Sequence, residues 1–260
     1  MENIISIDNL TFAYKRSKNV LQEIYAQINE GDLITLLGPN GVGKSTLLNC
    51  ITGLLYVKRN VVKINNCDIA SLKIRHIAQN IAYVPQKFYN GFDYTVREYV
   101  TMGRIAHKNL FELPNEKDYS TADKALEELK ISHLKEYLFS KISSGEQQQV
   151  CIARAIAQEP KLIVLDEPTS SLDYDNQIKV LNLVKKLSEF GYAVLMTTHN
   201  PDHSLLLNST VWILNRCGHM VVGTAENLIT EEILNDLYDS EICISKIPFV
   251  NRKICFVNRM

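Results

Sequence analysis

The chain has 260 residues and a mass of 29.6 kDa, which favours one large α/β domain or a core with a smaller subdomain. Hydrophobic residues make up 46% and charged residues 22%, which excludes disorder, collagen and coiled coil as the main body. The 28 basic and 29 acidic residues give a formal net charge of −1, without the basic excess of a non-specific nucleic-acid binder.

Targeting signals and structural disulfides are not expected. No apolar run approaches the roughly 18 to 20 residues that cross a bilayer. The start Met1-Glu2-Asn3 lacks the basic and apolar regions of a signal peptide, so we expect a cytosolic chain. The six cysteines, at positions 50, 67, 151, 217, 243 and 255, contain no C-x-x-C pair. We therefore expect free thiols rather than disulfides or metal ligands, with Cys50 and Cys151 buried as small apolar residues.

The predicted elements alternate strand and helix in chain order. The first forty residues alternate apolar and polar side chains, and they lead into the apolar strand Leu33–Leu37. A glycine-rich turn and a helix near 46–51 follow, and residues 93 to about 140 are expected to be mostly helical, opening with a capping box formed by Thr95 and Glu98. The remaining predicted elements are the strands 81–84, 162–165, 193–197 and 211–214 and the helix 231–238.

A glycine-rich motif follows the strand Leu33–Leu37 and precedes a helix, which is the context of a phosphate-binding loop. Glycines let backbone N–H groups surround phosphate oxygens, and the new helix N-terminus adds partial positive charge. Lys44 supplies a full positive charge for the β- and γ-phosphates, and Ser45 can ligate magnesium. We conclude that a nucleoside triphosphate binds to the loop Gly38, Pro39, Asn40, Gly41, Val42, Gly43, Lys44, Ser45 and Thr46.

Two carboxylates at the end of a second apolar strand are predicted to complete this site. The strand Leu162–Leu165 is apolar on both faces, as a central parallel strand should be. Asp166 is placed to hold the magnesium shell, and Glu167 is placed to polarise a water as general base.

Five further motifs resemble those of ABC-type ATPases, and together with the phosphate loop they follow the family's order. They are the adenine-stacking aromatic Tyr14, the Q-loop glutamine Gln86 after Tyr83-Val84-Pro85, the signature sequence Ile142-Ser143-Ser144-Gly145-Glu146-Gln147-Gln148-Gln149, the D-loop Ser170-Ser171-Leu172-Asp173 and the switch histidine His199 after Thr197-Thr198. For Tyr14 the alternative is a strand aromatic in the core.

The resemblance covers roughly residues 1–240 and implies a fold and a set of cofactors. It implies an α/β protein with a P-loop NTPase core, a parallel central sheet, an N-terminal antiparallel β subdomain and a helical subdomain at about 87–150. Residues 241–260 are then a short C-terminal tail. In this family two copies sandwich two ATP molecules head to tail, which implies ATP and Mg²⁺ as cofactors and a second copy as a partner.

The resemblance also implies roles for individual residues. Glu167, His199 and Gln86 would be catalytic, with His199 hydrogen-bonded to the γ-phosphate and holding Glu167 and the water in place. Magnesium would be held by Ser45, Gln86 and Asp166. Besides the phosphate loop and Tyr14, the nucleotide-binding residues would be Ser143, Ser144, Gly145, Glu146 and Asp173.

Three residues of the signature depart from the usual pattern of the family. Ser144 replaces the first of two glycines, which puts close approach to the phosphate in question because serine adds a Cβ. Gln149 replaces the usual arginine and removes a fixed charge, whereas Glu146 is a familiar variant in some importers. We expect a working ATPase that these departures can slow.

The remaining histidines give a weaker signal. His199 and His203 are four residues apart, which on a helix would suit zinc. Pro201 lies between them and no partner ligands are evident, so a loop is favoured.

The segment Phe92 to Arg104 is similar to the iron-siderophore, haem and cobalamin uptake branch, in which this region contacts the permease. The alternative is a capped amphipathic helix without that role. The resemblance to this branch implies an importer subunit on the cytoplasmic face of the membrane, with an integral membrane permease and a substrate-binding protein as partners and no nucleic acid.

Two alternatives to an importer subunit are a soluble ABC-type ATPase acting on DNA or ribosomes and the ATPase subunit of an exporter. The 95 residues between Thr46 and Ile142 contain neither heptads nor a basic stripe, which disfavours the soluble class.

Overall fold

The computed structural model describes residues 2–15, 18–86, 93–109, 111–247, 249 and 252–257, and the chain divides into two compact units. The first unit comprises Met1–Ser71 with Leu195–Met260, and the second comprises Leu72–Val194. Residues 87–92, with which the predicted helical subdomain and the importer-like segment begin, lie outside the described residues.

Strands and helices follow one another along the chain in an order that begins and ends with strands. Those up to the middle of the chain are β1 (Asn3–Phe12), β2 (Leu21–Asn29), β3 (Leu33–Leu37), α1 (Lys44–Ile51), β4 (Val62–Ile64), β5 (Cys67–Asp68), α2 (Ile74–Asn80), β6 (Ile81–Val84), α3 (Val96–Thr101), α4 (Glu116–Glu128) and α5 (Ser144–Ala157). Those that follow are β7 (Leu162–Leu165), α6 (Tyr174–Glu189), β8 (Ala193–Thr198), α7 (Pro201–Leu207), β9 (Thr210–Leu214), β10 (Met220–Thr224), α8 (Ala225–Leu228), α9 (Glu231–Tyr238), β11 (Ile242–Ile247) and β12 (Arg252–Val257).

The first unit contains the predicted antiparallel β subdomain, with strand order β2-β1-β4-β5. In β1, Ile5 and Ile7 are buried while Ser6 between them is less so, as the alternating pattern predicted. Ile5 pairs with Ile28 of β2 on one side and with Ile64 of β4 on the other, which fixes the register of the sheet.

The first unit also contains the strand that leads into the phosphate loop. β3 pairs in parallel with β9, with Ile34 opposite Thr210, and β10 is antiparallel to β9. Leu37 at the end of β3 belongs to an apolar cluster with residues of β9, α8, α9 and the segment between the two helices, and the other members of that cluster are Val211, Ile213, Ala225, Ile229, Leu234 and Leu237. The segment predicted as a short tail forms the antiparallel hairpin of β11 and β12, which contributes Ile242, Ile244 and Cys255 to the edge of the same cluster.

In the second unit, β6 and β7 are parallel, with Val84 opposite Leu165, so the two strands end at the same edge of the sheet. All four residues of β7 are buried, as expected of a central strand. The predicted capping box is present, because Thr95 accepts from the Glu98 N–H while the Glu98 carboxylate accepts from the Thr95 N–H. Among the described residues, no helix of either unit is both long and apolar enough to cross a bilayer.

A buried ionic cluster fixes the segment after α3 against α4 and the end of α5. Arg104 is 7% exposed and pairs with Asp118 of α4, and its Nη1 donates to the Ala157 carbonyl at 2.8 Å and to Glu159 at 2.7 Å. Lys108 pairs with the other oxygen of Asp118 at 2.5 Å. The two cations share one buried carboxylate, so removing Asp118 would leave them only their more exposed partners, Glu159 for Arg104 and Glu112 for Lys108.

Candidate nucleotide site

The phosphate loop joins β3 to α1 and holds its own lysine. Lys44 is only 5% exposed, and its Nζ donates to the Gly38 carbonyl at 2.8 Å and the Pro39 carbonyl at 3.0 Å. Gly43 caps α1 with φ of 112°, a left-handed conformation that side chains disfavour. At Gly38 a Cβ would lie 2.6 Å from the Leu214 carbonyl oxygen, so this position has no room for a side chain.

A cavity of about 470 Å³ lies beside this loop in the first unit. Lys18 and Arg216 are among the residues that line it, and Arg216 lies in the turn between β9 and β10. Two cations beside a glycine-containing loop suit an anionic ligand such as a nucleotide. The other lining residues are Asn19, Val20, Pro39, Asn40, Gly41 and Val42.

Tyr14 lies beyond the end of β1 and is 47% exposed, which excludes the alternative that it is a core residue. Its ring meets that of Phe12 edge to face with centroids 5.2 Å apart, and its hydroxyl lies 3.2 Å from Thr46 Oγ1. Tyr14 is therefore held next to the phosphate loop with an accessible ring, and stacking on adenine stays a prediction.

In the second unit, a tyrosine near the end of β6 contacts Asp166, the predicted magnesium ligand that follows β7. The Tyr83 hydroxyl donates to Asp166 Oδ2 at 3.1 Å, and Asp166 is 5% exposed. Burial, followed by the negative charge of Asp166, raises the pKa of Tyr83, so the phenol remains a donor. Asp166 is thereby oriented by a neutral partner.

The predicted Q-loop glutamine contacts the predicted general base directly. Gln86 Nε2 donates to Glu167 Oε2 at 3.1 Å and to Ser170 Oγ at 3.1 Å. Ser170 Oγ in turn donates to the Glu167 carbonyl at 3.1 Å. Glu167 itself has φ of 45°, a left-handed conformation that is uncommon outside glycine and is found at functional sites. The second unit thus brings together Gln86, Asp166 and Glu167.

The signature segment begins helix α5 with a capping box. Ser143 is the N-cap, and its N–H and hydroxyl donate to Glu146 Oε2 at 2.8 and 2.7 Å. These bonds hold the pKa of the Glu146 carboxyl below its usual value. Ser144 is the first residue of the helix and has no positive φ, so its backbone does not require the glycine that the family usually has there.

The signature lies close to the beginning of α6. A Cβ at Gly145 would lie 2.6 Å from Oδ1 of Asn176, so this glycine has a packing role. Asn176 N–H also donates to Asp173 Oδ1 at 2.9 Å, which makes Asp173 the N-cap of α6. The predicted signature and D-loop residues are therefore neighbours, joined through Asn176.

His199 and His203 lie in different environments. His199 is exposed between β8 and α7, whereas His203 is 6% exposed within α7. Asn200 Oδ1 accepts from the Asp202 N–H at 3.0 Å, which directs the Asn200 amide nitrogen at His203 Nε2, 3.4 Å away. His203 Nε2 is thus the acceptor, and its Nδ1–H donates to Thr198 Oγ1 at 2.9 Å.

Burial, followed by the proximity of His199, lowers the pKa of His203 to about 4. His203 is therefore a neutral structural residue at neutral pH. The loop expected between the two histidines was wrong for His203, because Pro201 begins helix α7, whereas His199 precedes that helix. The cysteines are free thiols as predicted, with Cys50 and Cys151 buried.

Oxygen ligands suited to magnesium are present at the predicted positions. Asp166 offers a buried, oriented carboxylate, and Ser45 is an exposed hydroxyl in the first turn of α1. Mg²⁺ is commonly bound by one or two protein oxygens together with phosphate and water, so each of these oxygens by itself is a suitable ligand.

Sequence patterns do not single out three residues of these sites. Tyr83 and Ser170 enter the sequence motifs only as neighbours of the assigned residues, and Arg216 belongs to none of the motifs. A hydroxyl in the otherwise apolar strand Ile81–Val84 is the available signal for Tyr83. For Arg216 the sequence carries no signal, because its position follows from the β9–β10 turn.

The second unit also carries an apolar groove of about 940 Å³. It is lined by residues of α2, α3 and the segments around α4, and it includes the buried Gly103. Ile74 and Ile105 on this groove are 74% and 66% exposed. Exposed apolar residues that surround a concave surface are typical of a protein interface.

Sequence comparison gives a family match. The model of the family described as "ABC transporter" matches residues 21–170. The molybdate import ATP-binding protein MolC of Haemophilus influenzae is 36% identical, over 92% of this chain and 89% of the relative. The iron(3+)-hydroxamate import ATP-binding protein FhuC of Bacillus subtilis is 31% identical, over 97% of this chain and 94% of the relative.

Structural comparison agrees with the sequence matches. A solved ABC transporter of the metal-chelate type in an inward-facing conformation is 33% identical, with a TM-score of 0.87. The match covers 98% of this chain and 97% of the other. The predicted ABC ATPase fold is therefore confirmed over nearly the whole length.

Proposed function

The chain belongs to the ABC transporter family, whose ATP-binding domain hydrolyses ATP to power transport, and we propose that it powers the import of chelated iron. The observation that carries this proposal is the match to the hydroxamate import protein over 97% of the chain, together with the TM-score of 0.87 to a metal-chelate type transporter. Relatives named as import proteins favour this function over an exporter or a soluble protein of DNA or ribosomes.

Each motif has a proposed role in the binding or hydrolysis of ATP. The phosphate loop binds the β- and γ-phosphates, Tyr14 stacks on adenine, and Lys44 neutralises phosphate charge. Glu167 accepts a proton from the attacking water, and the Gln86 amide, which already donates to Glu167, orients that carboxylate. His199 donates a hydrogen bond to the γ-phosphate.

Magnesium is the proposed metal, held by Ser45, Gln86 and Asp166 together with phosphate oxygens. Bound there, it would neutralise charge that develops on the phosphates during hydrolysis. The Tyr83 hydroxyl, which donates to Asp166, keeps this carboxylate in one orientation.

A second copy of the chain is the proposed partner at the nucleotide. Each copy would present Ser143, Ser144, Gly145 and Glu146 to ATP on the other copy, with Asp173 nearby. A helix N-terminus supplies N–H groups and partial positive charge for a γ-phosphate. We propose that Ser144 is tolerated because its position needs no left-handed backbone, although its Cβ can still slow hydrolysis.

An integral membrane permease is the proposed occupant of the apolar groove of the second unit. The exposed Ile74 and Ile105 supply apolar contact area, and Arg75 and Glu98 supply polar contacts for a cytoplasmic segment of that permease. With such a partner, the chain would lie peripherally on the cytoplasmic face of the membrane. The permease in turn receives its cargo from a substrate-binding protein.

Molybdate import is the second candidate, favoured by the 36% identity to the molybdate import protein.

The experiment that tests the proposed function is a pull-down of the tagged chain from solubilised native membranes, with identification of the permease and binding protein that co-purify. The isolated binding protein is then titrated with a ferric hydroxamate and with molybdate. Binding of the ferric chelate supports the proposal, whereas binding of molybdate alone selects the second candidate. Recovery of ribosomes or nucleic acid instead would contradict transport.

A further inference from the structure

A hydrogen bond from the C-terminal part of the chain reaches the backbone of the switch histidine. Tyr238, the last residue of α9, donates from its hydroxyl to the His199 carbonyl oxygen at 2.7 Å. The two residues are 39 positions apart, and both belong to the first unit. Tyr238 also lies outside residues 21–170, to which the family model matches.

The peptide group that follows His199 is held at both of its polar atoms. Its carbonyl accepts from Tyr238, and its N–H, which belongs to Asn200, donates to Thr198 Oγ1 at 3.1 Å. Because a peptide group is planar, two bonds on opposite sides fix its orientation and hence ψ of His199. The direction in which the imidazole leaves the backbone depends on that torsion.

Helix α9 is itself held firmly, so Tyr238 is a fixed donor. Leu234 and Leu237 are buried in the apolar cluster that includes Leu37 at the end of β3, and Tyr238 packs against the same cluster. Thr230 caps the helix by accepting from the Ile233 N–H.

The hairpin of β11 and β12 is bonded both to α9 and to the beginning of α7. Asn235 Oδ1 accepts from the Ile242 N–H at 2.6 Å, which joins β11 to α9. The Cys255 N–H of β12 donates to Asp202 Oδ1 at 3.0 Å, three residues after His199. The hairpin and α9 together therefore hold the segment from His199 to Asp202 in place.

We propose that Tyr238 is a positioning residue for ATP hydrolysis, acting through the His199 carbonyl to fix the direction of the His199 imidazole. This inference rests on the proposed role of His199 in hydrolysis. It assigns a part in the reaction to the C-terminal segment 231–257, which carries none of the nucleotide-binding motifs. Tyr238 reaches the nucleotide-binding motifs only through the backbone carbonyl of His199, so we expect its loss to lower the rate of hydrolysis and not the affinity for ATP.

The test uses Tyr238→Phe, which removes the hydroxyl and keeps the ring in the cluster. The matched control is Tyr56→Phe, at a tyrosine of the same unit that is 76% exposed. We expect kcat for ATP hydrolysis to fall about fivefold, as for loss of one hydrogen bond, while KM for ATP changes less than about twofold. Thr198→Val, which removes the acceptor on the other side of the same peptide group, should lower kcat in the same way.

The His199→Ala protein tests the proposed role of His199 separately from that of Tyr238. If His199→Ala hydrolyses ATP slowly but Tyr238→Phe matches the Tyr56→Phe control, the positioning role is wrong and the proposed function stands. A Tyr238→Phe protein that loses ATP affinity as much as kcat also overturns the positioning role, since it reports general damage. If His199→Ala hydrolyses ATP as fast as the wild type, the proposed role of His199 is wrong and the inference is overturned with it.

Discussion

The Tyr83 hydroxyl donates to Asp166 Oδ2 across 3.1 Å, and the two bonded residues are 83 positions apart in the sequence. The register of β6 and β7 places Val84 opposite Leu165, so Tyr83 precedes one member of this pair and Asp166 follows the other. Only one oxygen of Asp166 is constrained by this bond, and the carboxylate keeps a defined orientation for a metal.

The first prediction concerns this bond. In Tyr83→Phe the Asp166 carboxylate loses its donor, and we expect the Mg²⁺ concentration for half-maximal hydrolysis to rise about tenfold. Affinity of the ADP complex for Mn²⁺, measured by electron paramagnetic resonance, should fall in parallel. Tyr25→Phe, at a residue 57% exposed, is the control. Unchanged metal affinity in Tyr83→Phe would refute the orienting role.

The second prediction concerns the general base. Glu167→Gln keeps the shape of the side chain but removes the proton acceptor, so we expect hydrolysis to fall at least about 100-fold while ATP still binds. If two copies sandwich the nucleotide, the variant should accumulate as a dimer at saturating ATP and Mg²⁺, as measured by light scattering. A protein that remains monomeric under those conditions would count against the sandwich.

The third prediction concerns the phosphate loop. Lys44→Ala removes the ammonium that donates to the Gly38 and Pro39 carbonyls and that is proposed to neutralise phosphate. We expect ATP affinity, measured by calorimetry, to fall at least about tenfold. Lys58→Ala, at an exposed lysine of the same unit, should bind ATP as the wild type does. Equal affinities in the two variants would contradict the loop assignment.

The fourth prediction concerns pH and His203. Its pKa falls from an ordinary 6.5 to about 4 on folding, so between these values the unfolded chain binds more protons than the native protein. The contribution of His203 to the free energy of unfolding is therefore fully present above about pH 6.5 and is lost towards pH 4, by up to about 3 kcal/mol. Urea unfolding of wild type and His203→Gln across this range tests the sign. The variant should have the shallower dependence, and identical slopes would refute the assignment.

Local patterns predicted much of the fold and of the site. The phosphate loop, the Thr95 and Glu98 capping box and the apolar strand before Asp166 each depend on residues within about ten positions. Their conformations are dictated by glycine freedom, side-chain capping and burial of apolar side chains, all of which can be seen in the sequence.

The contacts that sequence reasoning missed all depend on tertiary register. Tyr83 reaches Asp166 because β6 and β7 are parallel and in step, and Tyr238 reaches His199 because α9 packs on the cluster that contains Leu37. A hydroxyl that is a donor to a distant backbone carbonyl leaves no periodic signal in a single sequence. The hairpin after α9 was likewise predicted only as a tail.

The proposed function is tested most directly by the uptake of radioactive iron, supplied as a ferric hydroxamate, in cells that carry either the wild-type chain or Glu167→Gln. Because Glu167→Gln binds ATP without hydrolysing it, we expect uptake at the level of cells that lack the chain. Immunoblotting establishes equal amounts of the two proteins. Uptake with Glu167→Gln equal to that with the wild type would contradict the claim that hydrolysis by this chain powers iron import.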